Sequence, residues 1–165
     1  MKATIIKHSE WADTKFTLHL ISQILGKIKL KMAHKEPQWA HVTLPLTPTG
    51  FTTGLLFADD DVMEIEVDIR NSKISLNVNG NVQAVEIKDS KSIKKYYDEL
   101  FTILQEQGIH VTINPNPQEM EYKNKLNEDD APLAFDQKYA MKGLQLVHDA
   151  LHEQLKFIAP LRSQK

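Results

Sequence analysis

Two histidines, His148 and His152, stand four residues apart in the segment His-Asp-Ala-Leu-His. On a helix this spacing puts both imidazoles on one face, as in the H-E-x-x-H motif of zinc metalloproteases. Here an aspartate replaces the glutamate of that motif, and the chain has no cysteine to act as a third ligand. We interpret the segment as a solvated helix face and predict that the protein binds no metal.

Three carboxylates, Glu64, Glu66 and Asp68, alternate with apolar residues and so lie on one face of a predicted strand. Such a cluster could serve paired-acid catalysis or calcium binding, but catalytic acid pairs usually come from different elements across a cleft. We interpret it as the wet face of a sheet. The six glycines form no phosphate-binding loop, and no serine stands in a nucleophile elbow, so we expect no cofactor.

A third candidate is the polar side of the first predicted helix. His19 and Gln23 lie one turn apart there, opposite the apolar stripe, and Gly26 on the same side would allow a close approach of the backbone. This side either faces water or lines a pocket. In a pocket, His19 and Gln23 could each donate or accept a hydrogen bond, and Trp11 and Trp39 could form its walls.

The helix that carries these residues is predicted to begin near Glu10, after Ser9 as its cap, and to end at Gly26. After the glycine, apolar residues alternate with lysines, which predicts a strand over 27–32 with Lys27, Lys29 and Lys31 on a wet face. If that strand lies beside the acidic strand, the lysines would pair with the carboxylates across the sheet.

Further strands are predicted by alternation and by turn residues, and further helices by apolar stripes behind serine or aspartate caps. The predicted strands are Trp39–Thr47, Phe51–Phe57 with a break at Gly54, Val62–Arg70, Lys73–Asn79, Val82–Lys88 and Ile109–Ile113. The predicted helices are Ile93–Gln107, with Tyr97, Leu100, Phe101 and Leu104 as its buried stripe, and 136–158, which follows a long polar loop at 114–132.

Strands with one dry and one wet face are typical of antiparallel sheets that helices cover on one side. The sequence therefore predicts an α+β fold: a curved, mainly antiparallel sheet of six or seven strands with three helices packed on one face. At 165 residues we expect a single domain, 1–165.

Charge and composition limit the classes of binding partner and the cellular location that we expect. The net charge of −2 and the pI near 6.4 argue against nucleic acid as a partner. The N-terminus has no apolar run long enough for a signal peptide, and no window approaches the apolar length of a membrane span, so we expect no membrane contact. The lack of cysteine is consistent with a reducing compartment, and we expect a cytoplasmic protein.

Several short motifs resemble a mostly bacterial family of uncharacterised proteins that is defined only as a domain of unknown function. These motifs are W-x-D-T at Trp11–Thr14, L-H-L at Leu18–Leu20, Gln23, Gly26-Lys27, Trp39, G-[LF]-T-T at Gly50–Thr53, Glu64–Asp68, Pro117-x-Glu119 and Phe135-Asp136. The resemblance implies no activity. It does favour the pocket, because His19, Gln23, Gly26 and Lys27 match motif positions and a helix facing water needs no particular residues there.

The chain departs from that family in two places. Pro37-Gln38-Trp39-Ala40 stands where the resemblance implies Asn-His-Trp-Trp. The resemblance also implies a segment rich in Gly, Phe, Trp and His after the last helix, whereas this sequence stops at Lys165. If that segment carries the chemistry of the family, we expect this protein to be a reduced form.

Three hypotheses for the function follow. The first is a non-catalytic module that binds a small ligand or an interaction partner through a polar pocket at the first helix. The second is a small enzyme with His19 as general acid or base, paired with His41 or Glu119. The third is a structural module that dimerises or docks through the last helix. The candidate ligand-binding residues are His19, Gln23, Lys27, Trp11, Trp39, His41, Thr52, Thr53 and Glu119.

Overall fold

The computed structural model describes residues 5–162, and within them it has the predicted α+β architecture. A mainly antiparallel sheet packs against helices, so the predicted fold class is confirmed. The helices are α1 (His8–Met32), α2 (Ile93–Glu106) and α3 (Gln137–Arg162), with a short 3-10 helix at Pro37–Val42. The strands are β1 (Gly50–Thr52), β2 (Leu56–Ala58), β3 (Asp61–Asp68), β4 (Lys73–Val78), β5 (Asn81–Glu86), β6 (Lys91–Ser92) and β7 (Pro132–Leu133).

Strand β3 is the centre of the main sheet, which has five strands in the order β1-β3-β4-β5, with β2 pairing with the other end of β3. Strands β6 and β7 form a separate two-stranded sheet. The meander β3-β4-β5 follows the predicted alternation: Met63, Ile65 and Val67 are buried against the helices. The sheet therefore has the one covered face that the sequence predicted.

The other face of β3 carries the three carboxylates. The predicted pairing of these carboxylates with the lysines of residues 27–31 is wrong, because those lysines belong to α1 and not to a neighbouring strand. Glu66 accepts hydrogen bonds from the hydroxyls of Thr47 and Thr49 at 2.7 and 2.6 Å. Glu64 accepts one from Thr52 at 2.6 Å. Asp68 instead accepts from the N–H and the side-chain amide of Asn71 at 3.0 and 2.7 Å. All three carboxylates are therefore bonded to neutral donors from neighbouring segments.

Helix α1 does not end at Gly26, and the predicted strand over 27–32 is wrong. The helix continues to Met32, and Gly26 has no positive φ. The physical reason is that Ile28, which is fully buried, lies on the same helical stripe as Ile21 and Ile24. The burial of this residue in the core outweighs the cost of one glycine inside a helix, about 1 kcal/mol.

Replacement of Gly26 by alanine is expected to raise the free energy of unfolding by about 0.5–1 kcal/mol. A Cβ built at Gly26 has no atom within 4 Å, so alanine adds helix propensity without a clash. Urea denaturation followed by circular dichroism measures the change. A Gly26→Ala protein that is less stable than the wild type would contradict the helical conformation at this position.

The segment predicted as strand Trp39–Thr47 is also not a strand. Its first four residues belong to the 3-10 helix Pro37–Val42. Of the rest, Leu46 forms an isolated bridge to Phe51. Proline is favoured in the first turn of a helix because its φ is already near the helical value and its missing N–H is not needed there. This local preference explains why the alternating pattern misled the prediction.

The predicted strand Ile109–Ile113 is likewise absent from the ladders of the described residues. Gly108 ends α2 with φ +80°, and the N–H of Ile109 then donates to the carbonyl of Leu104 at 2.8 Å. Ile109 and Ile113 are buried in the core. Burial of these two side chains holds the segment in place without strand pairing.

Helix α2 begins at Ile93 as predicted, and of the two candidate caps, Ser90 and Ser92, it is the Ser92 hydroxyl oxygen that accepts from the N–H of Lys95, at 3.3 Å. Leu100 and Leu104 of the predicted stripe are buried as predicted, but Tyr96 is buried in place of Tyr97 and Phe101. Tyr96 is fully buried, whereas Tyr97 and Phe101 are half-buried and stack with ring centroids 4.2 Å apart. The Tyr96 hydroxyl donates to the carbonyl of Lys88 and accepts from its N–H, both at 3.1 Å, which makes the deeper position satisfiable for a polar group.

Residues 114–131 form no helix or strand and lead to β7, and Asp136 then caps α3. The Asp136 carboxylate accepts from the N–H groups of Lys138 and Tyr139 at 2.8 and 3.2 Å. Helix α3 reaches Arg162, beyond the predicted end at 158. Its first half packs on α1, where the ring of Trp11 lies against Gly143.

Candidate functional site

A groove lies along the second half of α1, and the long loop forms one of its walls. We call it the α1 groove. Its volume is about 630 Å³. It is lined from α1 by Ser22, Gln23, Gly26, Lys27 and Leu30, from the end of the 3-10 helix and the segment after it by Val42 and Leu44, and from the loop by Gln118 and Glu119.

Gln23 fixes the loop wall of the α1 groove. Its side-chain Nε2 donates to the carbonyl of Gln118 at 3.0 Å, and its Oε1 accepts from the Gln118 N–H at 3.2 Å. Both polar atoms of the amide are therefore engaged with the backbone of one loop residue. The next residue, Glu119, lines the groove with φ +57°, a conformation that non-glycine residues rarely adopt. Gln23 therefore positions the wall of the groove.

Lys27 is the most unusual residue of the α1 groove. Its residue surface is only 7% exposed, and burial lowers the pKa of its ammonium group. Among the residues that the structure describes, none forms a hydrogen bond or an ion pair with this ammonium. Neighbouring Lys29 is similarly buried, but its ammonium donates to the carbonyl of Thr43 at 2.5 Å. Lys27 alone of the two faces the groove without a partner.

The other predicted residues of the first helix lie outside the α1 groove. His19 is exposed and does not line it. Trp11 packs on α3 and lies about 24 Å from Lys27 along the helix, given a rise of 1.5 Å per residue. The side chain of Trp39 lies outside the described residues. The structure therefore separates Trp11 and His19 from Gln23 and Lys27.

His41 and Thr53 line a second groove on the other side of the last turns of α1, together with Lys29 and Phe57. His41 is buried, and its Nδ1 accepts from the N–H of Glu36 at 3.1 Å. Thr53 accepts from the N–H of Ile65 at 3.0 Å. These contacts hold the chain in place, so this groove is walled by side chains that are already engaged.

Thr52, the remaining predicted residue, is the last residue of β1, next to the β1–β2 connection. Its hydroxyl donates to Glu64 and accepts from the N–H of Gly54, which has φ +67°. Thr52 therefore stabilises the break between β1 and β2 that the sequence predicted at Gly54. Of the nine predicted residues, the structure brings Gln23, Lys27 and Glu119 together at the α1 groove.

The prediction missed the apolar wall of the α1 groove, formed by Leu30, Val42 and Leu44. A signal for Leu30 was present, since residues 23, 26, 27 and 30 share one face if the helix continues. The strand assigned to 27–32 hid that signal. Val42 and Leu44 carried no signal, because a long-range contact brings them to α1.

The two histidines of α3 lie in different surroundings, and only one of them is on a solvated face as predicted. The Nε2 of His148 lies 2.8 Å from the carbonyl oxygen of Thr47, so this ring tethers α3 to the segment before β1. His152 is exposed. Within residues 5–162, no three His, Asp or Glu side chains are grouped closely enough to hold a metal ion.

Replacement of Gln23 by leucine is expected to release the loop at Gln118. Leucine keeps the size of the side chain but removes both hydrogen bonds, which lowers the free energy of unfolding by about 1 kcal/mol. Hydrogen exchange measured by NMR should show faster exchange of the Gln118 amide. Ser22→Ala is the matched control, because the Ser22 hydroxyl donates to the carbonyl of His19 within the same helix, and it should leave the Gln118 rate unchanged. Equal exchange rates in Gln23→Leu and the wild type would contradict the role of Gln23.

An α+β fold with a groove along its first helix describes the class of the protein. The chain belongs to a family of unknown function (DUF5996), which it matches over residues 4–159. This match confirms the resemblance to a domain of unknown function. No curated protein and no solved structure matches the chain. No helix within residues 5–162 has the length and apolar character needed to cross a membrane.

Proposed function

We propose that this protein is a non-catalytic binding module that holds a small molecule in the α1 groove. The observation that supports this most is Lys27, a lysine whose residue surface is only 7% exposed and whose ammonium faces the groove with no partner among the described residues. Partial burial removes some of the water around this charge, which costs free energy, and a ligand group at the ammonium would offset that cost. An inert surface lysine would instead extend into solvent.

The shape and lining of the α1 groove also favour a small molecule. Its volume of about 630 Å³ lies within the range of small-molecule sites, about 300–1,000 Å³. Leu30, Val42 and Leu44 offer an apolar wall, while Ser22 and Glu119 add polar groups at its edges. The ligand we infer has an apolar body and at least one polar group.

Catalysis by His19 has less support. A general base needs a second titratable group within hydrogen-bond reach and a concave site around the substrate. His19 is exposed and outside the α1 groove, and the proposed partner His41 lines the second groove. We therefore infer binding without reaction.

Docking through α3 is a second candidate function, because the far half of that helix is uncovered. All residues from 150 to 159 are exposed, and Leu151, Leu155 and Ile158 form an apolar stripe on them. Self-association through this stripe would appear as a concentration-dependent sedimentation coefficient that Leu151→Gln with Leu155→Gln abolishes. A concentration-independent coefficient would exclude self-association.

We further infer a cytoplasmic location and a single domain. A chain without cysteine suits a reducing compartment. Cell fractionation tests the location, and a single cooperative unfolding transition with coincident probes tests the domain.

A thermal-shift screen of small metabolites on the wild type tests the proposed groove. A ligand at about 100 times its Kd stabilises the folded protein by about 2.7 kcal/mol. The shift should vanish in Lys27→Met, which removes the ammonium, and in Leu44→Trp, which fills the groove.

Two control variants lie away from the groove: His19→Ala on α1 and Val82→Trp on an exposed position of β5. Both should keep the full thermal shift. The proposal fails if no compound stabilises the wild type, or if the shift survives in both groove variants.

A further inference from the structure

A second, smaller groove shares Lys27 with the α1 groove and lies on the far side of the loop residue Gln118. Its volume is about 290 Å³, and we call it the Lys31 groove. It is lined by Lys27, Leu30, Lys31, Thr112, Ile113, Asn114 and Gln118. Lys27, Leu30 and Gln118 line both grooves, so the two grooves are adjacent at Lys27.

The lining of the Lys31 groove is positively charged. Lys27 and Lys31 are four residues apart on α1, so their side chains lie on the same face one turn apart. Thr112 supplies a hydroxyl group, and no aspartate or glutamate is among the lining residues. Two ammonium groups without a carboxylate in between attract an anion.

Asn114 adds a donor. Its side-chain oxygen accepts from the N–H of Asn116 at 3.0 Å, which orients the amide group and leaves its NH2 as the available polar atom. The set of donors is thus two ammoniums, an amide NH2 and a hydroxyl. These groups suit the oxygens of a phosphate or a carboxylate.

Lys29 and Lys31 lie in the last turn of α1, where positive side chains interact favourably with the negative end of the helix dipole, so their positions have an explanation without a ligand. That explanation does not reach Lys27, which precedes the last turn and is buried. A structural role of Lys27 as an ion-pair partner is also unsupported, because no described residue pairs with it. A bound anion would pair with the Lys27 ammonium and so explain why this lysine lies against the groove.

We propose that the Lys31 groove is an anion subsite, in which Lys27 and Lys31 hold the phosphate or carboxylate of the ligand. This inference rests on the proposed function, since the apolar body of the same ligand would lie in the α1 groove beside Leu30 and Leu44. The ligand class is therefore a small organic phosphate or carboxylate, with its charged end under the loop at Gln118.

Titration with inorganic phosphate, followed by NMR of the backbone amides at constant ionic strength, tests the subsite without any knowledge of the ligand. We expect saturable shifts at residues 112–114 and at Lys31. Lys31→Gln and Lys27→Met should each weaken the phosphate affinity at least fivefold. Lys15→Gln is the matched control, since Lys15 is an exposed lysine near the other end of α1, and it should change the affinity less than twofold.

The same titration with acetate separates the two kinds of anion: tighter binding of phosphate assigns a phosphate ligand, and tighter binding of acetate assigns a carboxylate. Non-saturable shifts, or equal losses in Lys31→Gln and Lys15→Gln, would show general charge attraction and overturn the subsite. A metabolite that binds with Leu44 dependence but without Lys31 dependence would overturn the subsite and keep the proposed function. Phosphate binding without any stabilising metabolite would overturn the proposed function and keep the anion subsite.

Discussion

Replacement of Gly50 by alanine is expected to lower the free energy of unfolding by about 3 kcal/mol or more, the largest effect predicted for a single methyl group in this protein. Gly50 begins β1 and pairs with Asp68 of β3. A Cβ at this position would lie 1.8 Å from the carbonyl oxygen of Val67 and 3.0 Å from its carbonyl carbon. Both atoms are backbone atoms of the central strand, so no side-chain rotation relieves the clash.

Gly26→Ala is the matched control for Gly50→Ala, because it makes the same chemical change where a Cβ meets no atom within 4 Å. Urea denaturation of the two variants should give changes of opposite sign relative to the wild type. If Gly50→Ala does not fold, the prediction also holds, provided that Gly26→Ala folds. A Gly50→Ala protein within about 0.5 kcal/mol of the wild type would contradict the close approach of β1 to β3.

The sequence predicted the meander β3-β4-β5 because its signals are local. Each strand alternates over six or more residues, and short polar turns at Asn71-Ser72 and near Gly80 leave only one way to connect them. The second turn lies at Asn79-Gly80, where both residues have positive φ, one residue earlier than predicted. The strand pairing itself needed no knowledge of distant residues.

The end of α1 was mispredicted because six residues fit both periods. In 27–32 the alternation with lysines suggests a strand, while Ile28 continues the stripe of Ile21 and Ile24. Core packing decides between the two, and core packing depends on elements far along the chain. Long lysine side chains suit a helix as well, since their stems cover apolar surface.

The family motifs identified positions but did not separate fold from function. At the predicted motif position Gly50, β3 passes close to the backbone, and at Thr52 the hydroxyl group bonds to Glu64 and to the N–H of Gly54. At Gln23, the side-chain amide group holds a loop residue 95 positions away in sequence. Such a contact has no local signal, so the sequence could predict neither the groove nor which motif residues face it.

Replacement of Lys27 by methionine is expected to increase the free energy of unfolding by about 1 kcal/mol at neutral pH, which is unusual for a buried residue. Methionine keeps the apolar stem and removes an ammonium group that has no partner among the described residues. The gain is smaller than for a fully buried charge because the ammonium still faces an open groove. Lys29→Met is the matched control and should lose stability, because it deprives the Thr43 carbonyl of its donor.

The pH dependence gives an independent measurement of the same effect. Burial lowers the pKa of Lys27 below its ordinary 10.5, so between the folded-state pKa and 10.5 the unfolded chain binds more protons than the folded protein. The stability of the wild type relative to Lys27→Met should therefore rise with pH as 10.5 is approached. Stability should be compared at pH 8–10, because burial raises the pKa of Tyr96 to about 12 and stability from that group is lost as the pH rises from 10 to 12.

Two results would contradict this account of Lys27. One is a Lys27→Met protein that is less stable than the wild type at neutral pH, which would mean that the ammonium stabilises the fold. The other is a stability difference that does not change with pH. A more stable Lys27→Met protein that no longer binds the ligand would show that the charge is retained for binding at a cost to the fold.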